Sequence, residues 1–250
     1  PVGSARCRGI RREAHPMVDL WDGVVQALRL VAGLDATLVD IALRSLQVTL
    51  SALAVACVIA FPLAALLAVR RFRWRRMVIA VLNALMGLPP VVVGLVVYML
   101  LSRSGPFGVL GLLFTPTAMI IAQVIIIVPL IASIAHQSLR DLWHDYHDLL
   151  ISMNVSQRQK LRTLMWDARR ALLTAALAGF GRGIGEVGAI MIVGGNIDNA
   201  TRVMTTAIAL ETGRGDFALA LALGFILIVM TIAINLAVHT LGRTEREGRW

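Results

Sequence analysis

Read from the N-terminus, the chain alternates long apolar runs with short basic punctuation. Runs at about residues 46–69, 77–101, 118–135, 171–193 and 217–239 approach or exceed the roughly 20 residues an α-helix needs to cross hydrocarbon. They predict an all-α protein with five transmembrane helices. Val18 to Val31 reads differently. Leu20, Val24, Leu28 and Val31 recur at helical spacing against Asp19, Asp22 and Arg29, which predicts a short amphipathic helix at the interface, within an external segment 17–45. Pro62 and Pro129 fall inside the first and third runs, while Leu88-Pro89-Pro90 interrupts the second and predicts a broken helix there.

Composition agrees with a membrane protein. Of 250 residues 58% are hydrophobic, and the mean hydropathy is +0.77, too apolar for a soluble domain of this size. The net charge of +9 comes from 24 basic residues, 23 of them arginine, clustered between apolar runs. That distribution orients a membrane protein and argues against nucleic acid as the partner. RRFRWRR at 70–76 marks a cytoplasmic turn. Residues 17–45, with two basic and four acidic side chains, then lie outside, and the tail 240–250 lies inside, an N-out/C-in arrangement. Residues 1–16 are basic and unpatterned, without the apolar core of a signal peptide, and read as a disordered extension. Cys7 and Cys57 imply no disulfide framework.

The stretch GFGRGIGEVGAIMIVGGNI, 179–197, is the least ordinary part of any span. Gly179 and Gly183, and Gly181 and Gly185, are spaced four apart, each pair a small-residue ridge that lets another helix approach closely. Arg182 and Glu186 share the same spacing and can pair on one face. Charges at membrane depth must pair, face protein or line water. The stretch therefore reads either as a packing helix with a self-satisfied pair or as a helix at a subunit or pore interface.

The long polar insertion 136–170 carries six basic and four acidic residues, which places it in the cytoplasm. His144 and His147 have aspartates beside them, but no third ligand and no cysteine joins them, so no metal site is expected. Asp148 to Ile151 reads as a short helix, Asn154 as a turn, and Ser156 as the N-cap of a helix beginning near Gln157. Trp143, Met153 and Leu161 are apolar side chains that a solvated linker does not need. Together they suggest a finger for docking another protein.

This layout resembles the core of type I ABC importer permeases, whose cytoplasmic loop carries a Glu-Ala-Ala…Gly motif. Asp148, Leu149 and Leu150 stand in the Glu-Ala-Ala positions and Asn154 in the glycine position, with Met153 and Ser156 beside them. The segment GRGIGEVGAIMIVGGNI followed by TRVMTTAIALET, 201–212, is similar to the tungstate permeases of the oxyanion group. The resemblance implies a homodimer, two cytoplasmic ABC ATPase subunits, an external oxyanion-binding protein and a bacterial inner-membrane location. It also implies ATP and Mg acting in the ATPase partner. The chain itself carries no G-x-x-x-x-G-K-[ST] loop, so no enzymatic activity and no cofactor of its own are expected.

Polar candidates for the pathway are Asn83, Gln123, Ser133, Asn196 and Thr205, beside the Arg182–Glu186 pair. Asn83 and Gln123 equally suit hydrogen bonds between helices. Molybdate or sulfate is the alternative cargo. A proton-coupled secondary transporter is the alternative class, with Glu186 as its acid, though Arg182 one turn away speaks against a lone relay carboxyl.

Overall fold

The computed structural model describes residues 36–70, 72–153 and 155–247, together with Val25 and Gly33, and the side chains of these except Ile151 and 237–247. Expectations for residues 1–16 and for most of 17–35 therefore lie outside the described residues. Among the described residues there are nine α-helices and no strand: α1 Ala36–Val69, α2 Arg75–Met86, α3 Pro90–Leu101, α4 Pro116–Ser152, α5 Gln157–Asp167, α6 Arg169–Ile184, α7 Gly188–Gly194, α8 Met204–Arg214 and α9 Phe217–Glu247.

Three of these, α1, α4 and α9, are individually long and apolar enough to cross a membrane. Two further crossings arise only as bent pairs, α2 with α3 at 103° and α6 with α7 at 61°. Counting each pair once gives five. The α2–α3 break falls at Leu88-Pro89-Pro90. Pro89 is the extended N-cap of α3 and Pro90 opens the helix, where a missing N–H is harmless. At 12 residues each, α2 and α3 are about 18 Å long, well short of the ~30 Å hydrocarbon thickness.

Two elements extend beyond the expected spans. α1 starts at Ala36, so residues 36–45, assigned from sequence to the external segment, are its first turns. α4 continues unbroken to Ser152, so the residues from 136 onward begin not as a separate loop but as the polar end of a 37-residue helix. The reason is that Arg140 to Asp148 contains no proline or glycine to stop the helix.

α4 is the central helix: half of its most apolar window is buried, against 17% for α9. It packs on α1 through Ala52, Ala56, Ala60 and Ala64, four fully buried alanines at four-residue spacing that leave room for Ile127, Ile131, Ala132, Ala135 and Leu139. This is the small-residue packing by which helices associate where lipid offers no hydrophobic gain. On the other side of α4 the notches belong to α6. A Cβ at Gly179 would come within 2.6 Å of Ile131 Cδ1, and one at Gly183 within 2.7 Å of Ile127 Cδ1. Outward-facing apolar side chains such as Val58, Val96, Met99, Ile228 and Leu236 remain exposed, as lipid-facing positions do.

Candidate functional site

The glycine-rich stretch is not one helix. α6 ends at Ile184, and α7 restarts at Gly188 after the break at 185–187. A broken helix frees backbone carbonyls and N–H groups that a membrane interior leaves no water to satisfy. Here side chains from other helices take them up. Gln123 Nε2 of α4 donates to the Gly183 carbonyl at 3.0 Å. The Thr205 hydroxyl of α8 donates to the Glu186 carbonyl at 2.9 Å. The Glu186 carboxylate turns back to accept the Ala189 N–H at 3.2 Å, capping α7, and its other oxygen meets Arg182 Nη1 at 3.1 Å.

The pair anticipated at Arg182 and Glu186 is thus formed, but across the break rather than along one continuous helix. Its two ends differ. The Glu186 side chain is 5% exposed while that of Arg182 is 36% exposed. A carboxylate with a guanidinium and a backbone donor is adequately compensated at this depth. The glycines divide too. Gly179 and Gly183 are filled by α4, whereas nothing lies within 4 Å of a Cβ at Gly181, and only the Gly181 carbonyl, at 3.5 Å, lies near one at Gly185. The second ridge is unpartnered within this chain.

The remaining polar candidates do not converge. Gln123 and Thr205 join the break; Asn83 is exposed on α2. Ser133 is half-buried on α4 with its Oγ lacking a partner. Asn196, at φ +50°, follows Gly195 in the turn after α7 and donates from Nδ2 to the Thr206 carbonyl. That turn requires glycine at 195: φ is +71°, and a Cβ would meet the Phe114 ring at 2.8 Å.

At the far end of α4 lies the cytoplasmic finger. Asp148 is fully exposed, with His147 Nδ1 2.9 Å from its Oδ1. Leu149 and Met153 are 57% and 63% exposed, while Leu150 is buried. Trp143 and Leu161, read from sequence as docking side chains, instead pack against the core. Asn154 lies outside the described residues. Ser156 caps α5 in a reciprocal box: its Oγ accepts the Gln159 N–H, and the Gln159 side chain accepts the Ser156 N–H at 2.9 Å. Among the described residues no three His, Cys, Asp or Glu side chains are grouped to hold a metal.

Sequence reading missed Ser45 and Glu211. Ser45 Oγ accepts the Met204 N–H at 2.6 Å, fixing the start of α8 to α1. Glu211 is buried and paired with Arg214 at 3.0 Å. A lone serine in an apolar run carries no signal of a partner 159 residues away. The Glu211/Arg214 spacing was visible and went unread.

Residues 60–245 match the family model described as binding-protein-dependent transport system inner membrane component. The tungstate uptake system permease protein of Peptoclostridium acidaminophilum is 36% identical over 88% of this chain and 96% of its own length. A probable anion ABC transporter permease of Haloferax volcanii is 37% identical over 85% of this chain and 93% of its own. The tungstate uptake system permease of Campylobacter jejuni is 36% identical over 69% and 72%. These matches bear out the resemblance read from the finger and the glycine-rich stretch.

Proposed function

This chain belongs to the family of binding-protein-dependent transport system inner membrane components, an integral membrane permease subunit and not itself an enzyme, and we propose that it carries tungstate. The observation that carries the proposal is the near full-length similarity to a tungstate uptake permease. The permease works with ATPase and substrate-binding partners. In our reading it does so as a homodimer, N-out and C-in, with the ATPases seated on the finger around Asp148, Leu149 and Met153.

Exposure of Leu149 and Met153 beside Asp148 supports that seat, since exposed apolar side chains next to a charge suit a protein partner. ATP and Mg act in the partner subunits; this chain needs no cofactor. ATP-driven closure of the ATPases would pull the end of α4, and α4 transmits that motion directly because it is one helix from the finger to the Gln123 contact at the α6–α7 break. Anion choice rests mainly with the external binding protein, because a permease must hold its cargo weakly enough to release it.

The experiment is uptake of radiolabelled tungstate into proteoliposomes containing this chain, its ATPase and its binding protein. ATP-dependent uptake resisted by molybdate or sulfate only at large excess is expected. Equal competition by either anion would reassign the cargo. Uptake driven by a proton gradient without ATP would replace the mechanism and make Glu186 the relay acid.

A further inference from the structure

Beside the α6–α7 break lies a small enclosed cavity lined by Ser45 and Thr49 of α1, Gln123 of α4, Gly183 and Ile184 of α6, Ile190 of α7 and Thr205 of α8, closed by Val48 and Val203. Gln123 is 1% exposed, and its Oε1 has no hydrogen-bond partner. The orientation of its amide is fixed by chemistry. The Gly183 carbonyl can only accept, so the nitrogen must face it and the oxygen must face elsewhere.

Oε1 needs a donor, and two of the hydroxyls beside it have none to give. Ser45 Oγ donates to the Ile41 carbonyl at 2.9 Å, and Thr205 Oγ1 to the Glu186 carbonyl at 2.9 Å. Both keep acceptor lone pairs. What fits is a small molecule bringing two protons into a site with one bare acceptor and further acceptors around it.

We propose that one ordered water occupies this cavity, donating to Gln123 Oε1 and to a lining hydroxyl, and so joins α1, α4 and α8 to the broken helix. About 10 Å³ is open to the centre of a water-sized sphere, at the lower edge of the ~10–15 Å³ one water needs. A tetrahedral oxyanion is excluded by that size, and no cationic side chain lines the space. The water completes the replacement of the helical hydrogen bonds lost at 185–187: one freed carbonyl goes to Gln123, one to Thr205, and the water satisfies what Gln123 has left over. The inference is independent of which anion is carried.

Two measurements test it. A structure of the assembled transporter in lipid nanodiscs, at a resolution that shows ordered waters, should contain a peak within hydrogen-bond distance of both Gln123 Oε1 and a lining hydroxyl. An empty cavity, or the Thr49 hydroxyl donating directly to Oε1, overturns the proposal. The second is thermal melting of Val203→Ile, which adds a methylene to the cavity wall and expels the water. Leaving Oε1 bare should lower the melting temperature by roughly 2–4 °C. In a Gln123→Met background, with no acceptor left, the same substitution should cost nothing or raise the melting temperature. An equal fall in both backgrounds would mean steric strain in a dry cavity and would also overturn it.

Discussion

Arg182 and Glu186 meet at 3.1 Å across the break between α6 and α7, the acid buried and the base one-third exposed. The inequality decides which substitution hurts more. Arg182→Met leaves a buried carboxylate without its countercharge. Breaking a fully buried pair costs ~3–5 kcal/mol, and the exposure of Arg182 lowers the expectation to about 2 kcal/mol. Glu186→Gln keeps an oxygen for the Ala189 N–H and removes the buried charge, so it should cost less. Thermal unfolding of both variants in the same detergent checks the order. A larger loss for Glu186→Gln would mean that the carboxylate charge itself holds the break together.

The four glycines separate into two predictions that run in opposite directions. Gly179→Ala places a methyl against Ile131 and should destabilise by about 1–3 kcal/mol through overpacking. Gly181→Ala meets nothing within 4 Å, and the gain in helix propensity should leave the chain unchanged or more stable by up to ~1 kcal/mol. Leucine at 181 and 185 then becomes a clean probe of a second subunit. We expect the doubly substituted chain to fold normally and to lose its dimer on size-exclusion chromatography with light scattering. A normal dimer would show that this ridge faces lipid.

How far the sequence carried can be judged at these same residues. The apolar runs fixed the helical class because a membrane permits little else, and Pro89-Pro90 marked its break because proline chemistry is local. The Arg182–Glu186 pair was legible from spacing alone. The break between its members was not, because it depends on Gln123 and Thr205, which accept the cost of freed carbonyls from 60 and 19 residues away in sequence. Likewise the alanine ridge of α1 matters only because the isoleucines of α4 face it. Short-range patterns are read from one segment at a time, whereas these contacts belong to pairs of segments.

Ser156 offers a local test of the finger. Its box with Gln159 satisfies two of the orphan backbone donors that open α5. Ser156→Ala should cost about 1 kcal/mol, and hydrogen exchange should speed up at the first turn of α5 while the core of α4 keeps its protection. Faster exchange throughout α4 would mean that the finger and the membrane helix unfold as one unit.

The strongest functional prediction concerns the tip of that finger. Asp148 is fully exposed and Met153 nearly two-thirds exposed, so neither supports the fold of this chain. Asp148→Arg and Met153→Arg should therefore leave its melting temperature unchanged. A charge reversed or introduced where an ATPase docks, however, must be desolvated against a surface shaped for the opposite sign or for an apolar side chain. The expected result is loss of copurification with the ATPase and of ATP-driven uptake, with the permease still inserted and dimeric. Leu150→Arg is the control for misfolding, because Leu150 is buried against the core and its replacement should lower stability directly. If Asp148→Arg and Met153→Arg both transport at the native rate, the ATPases bind elsewhere, and the exposed turns of α5 become the next place to look.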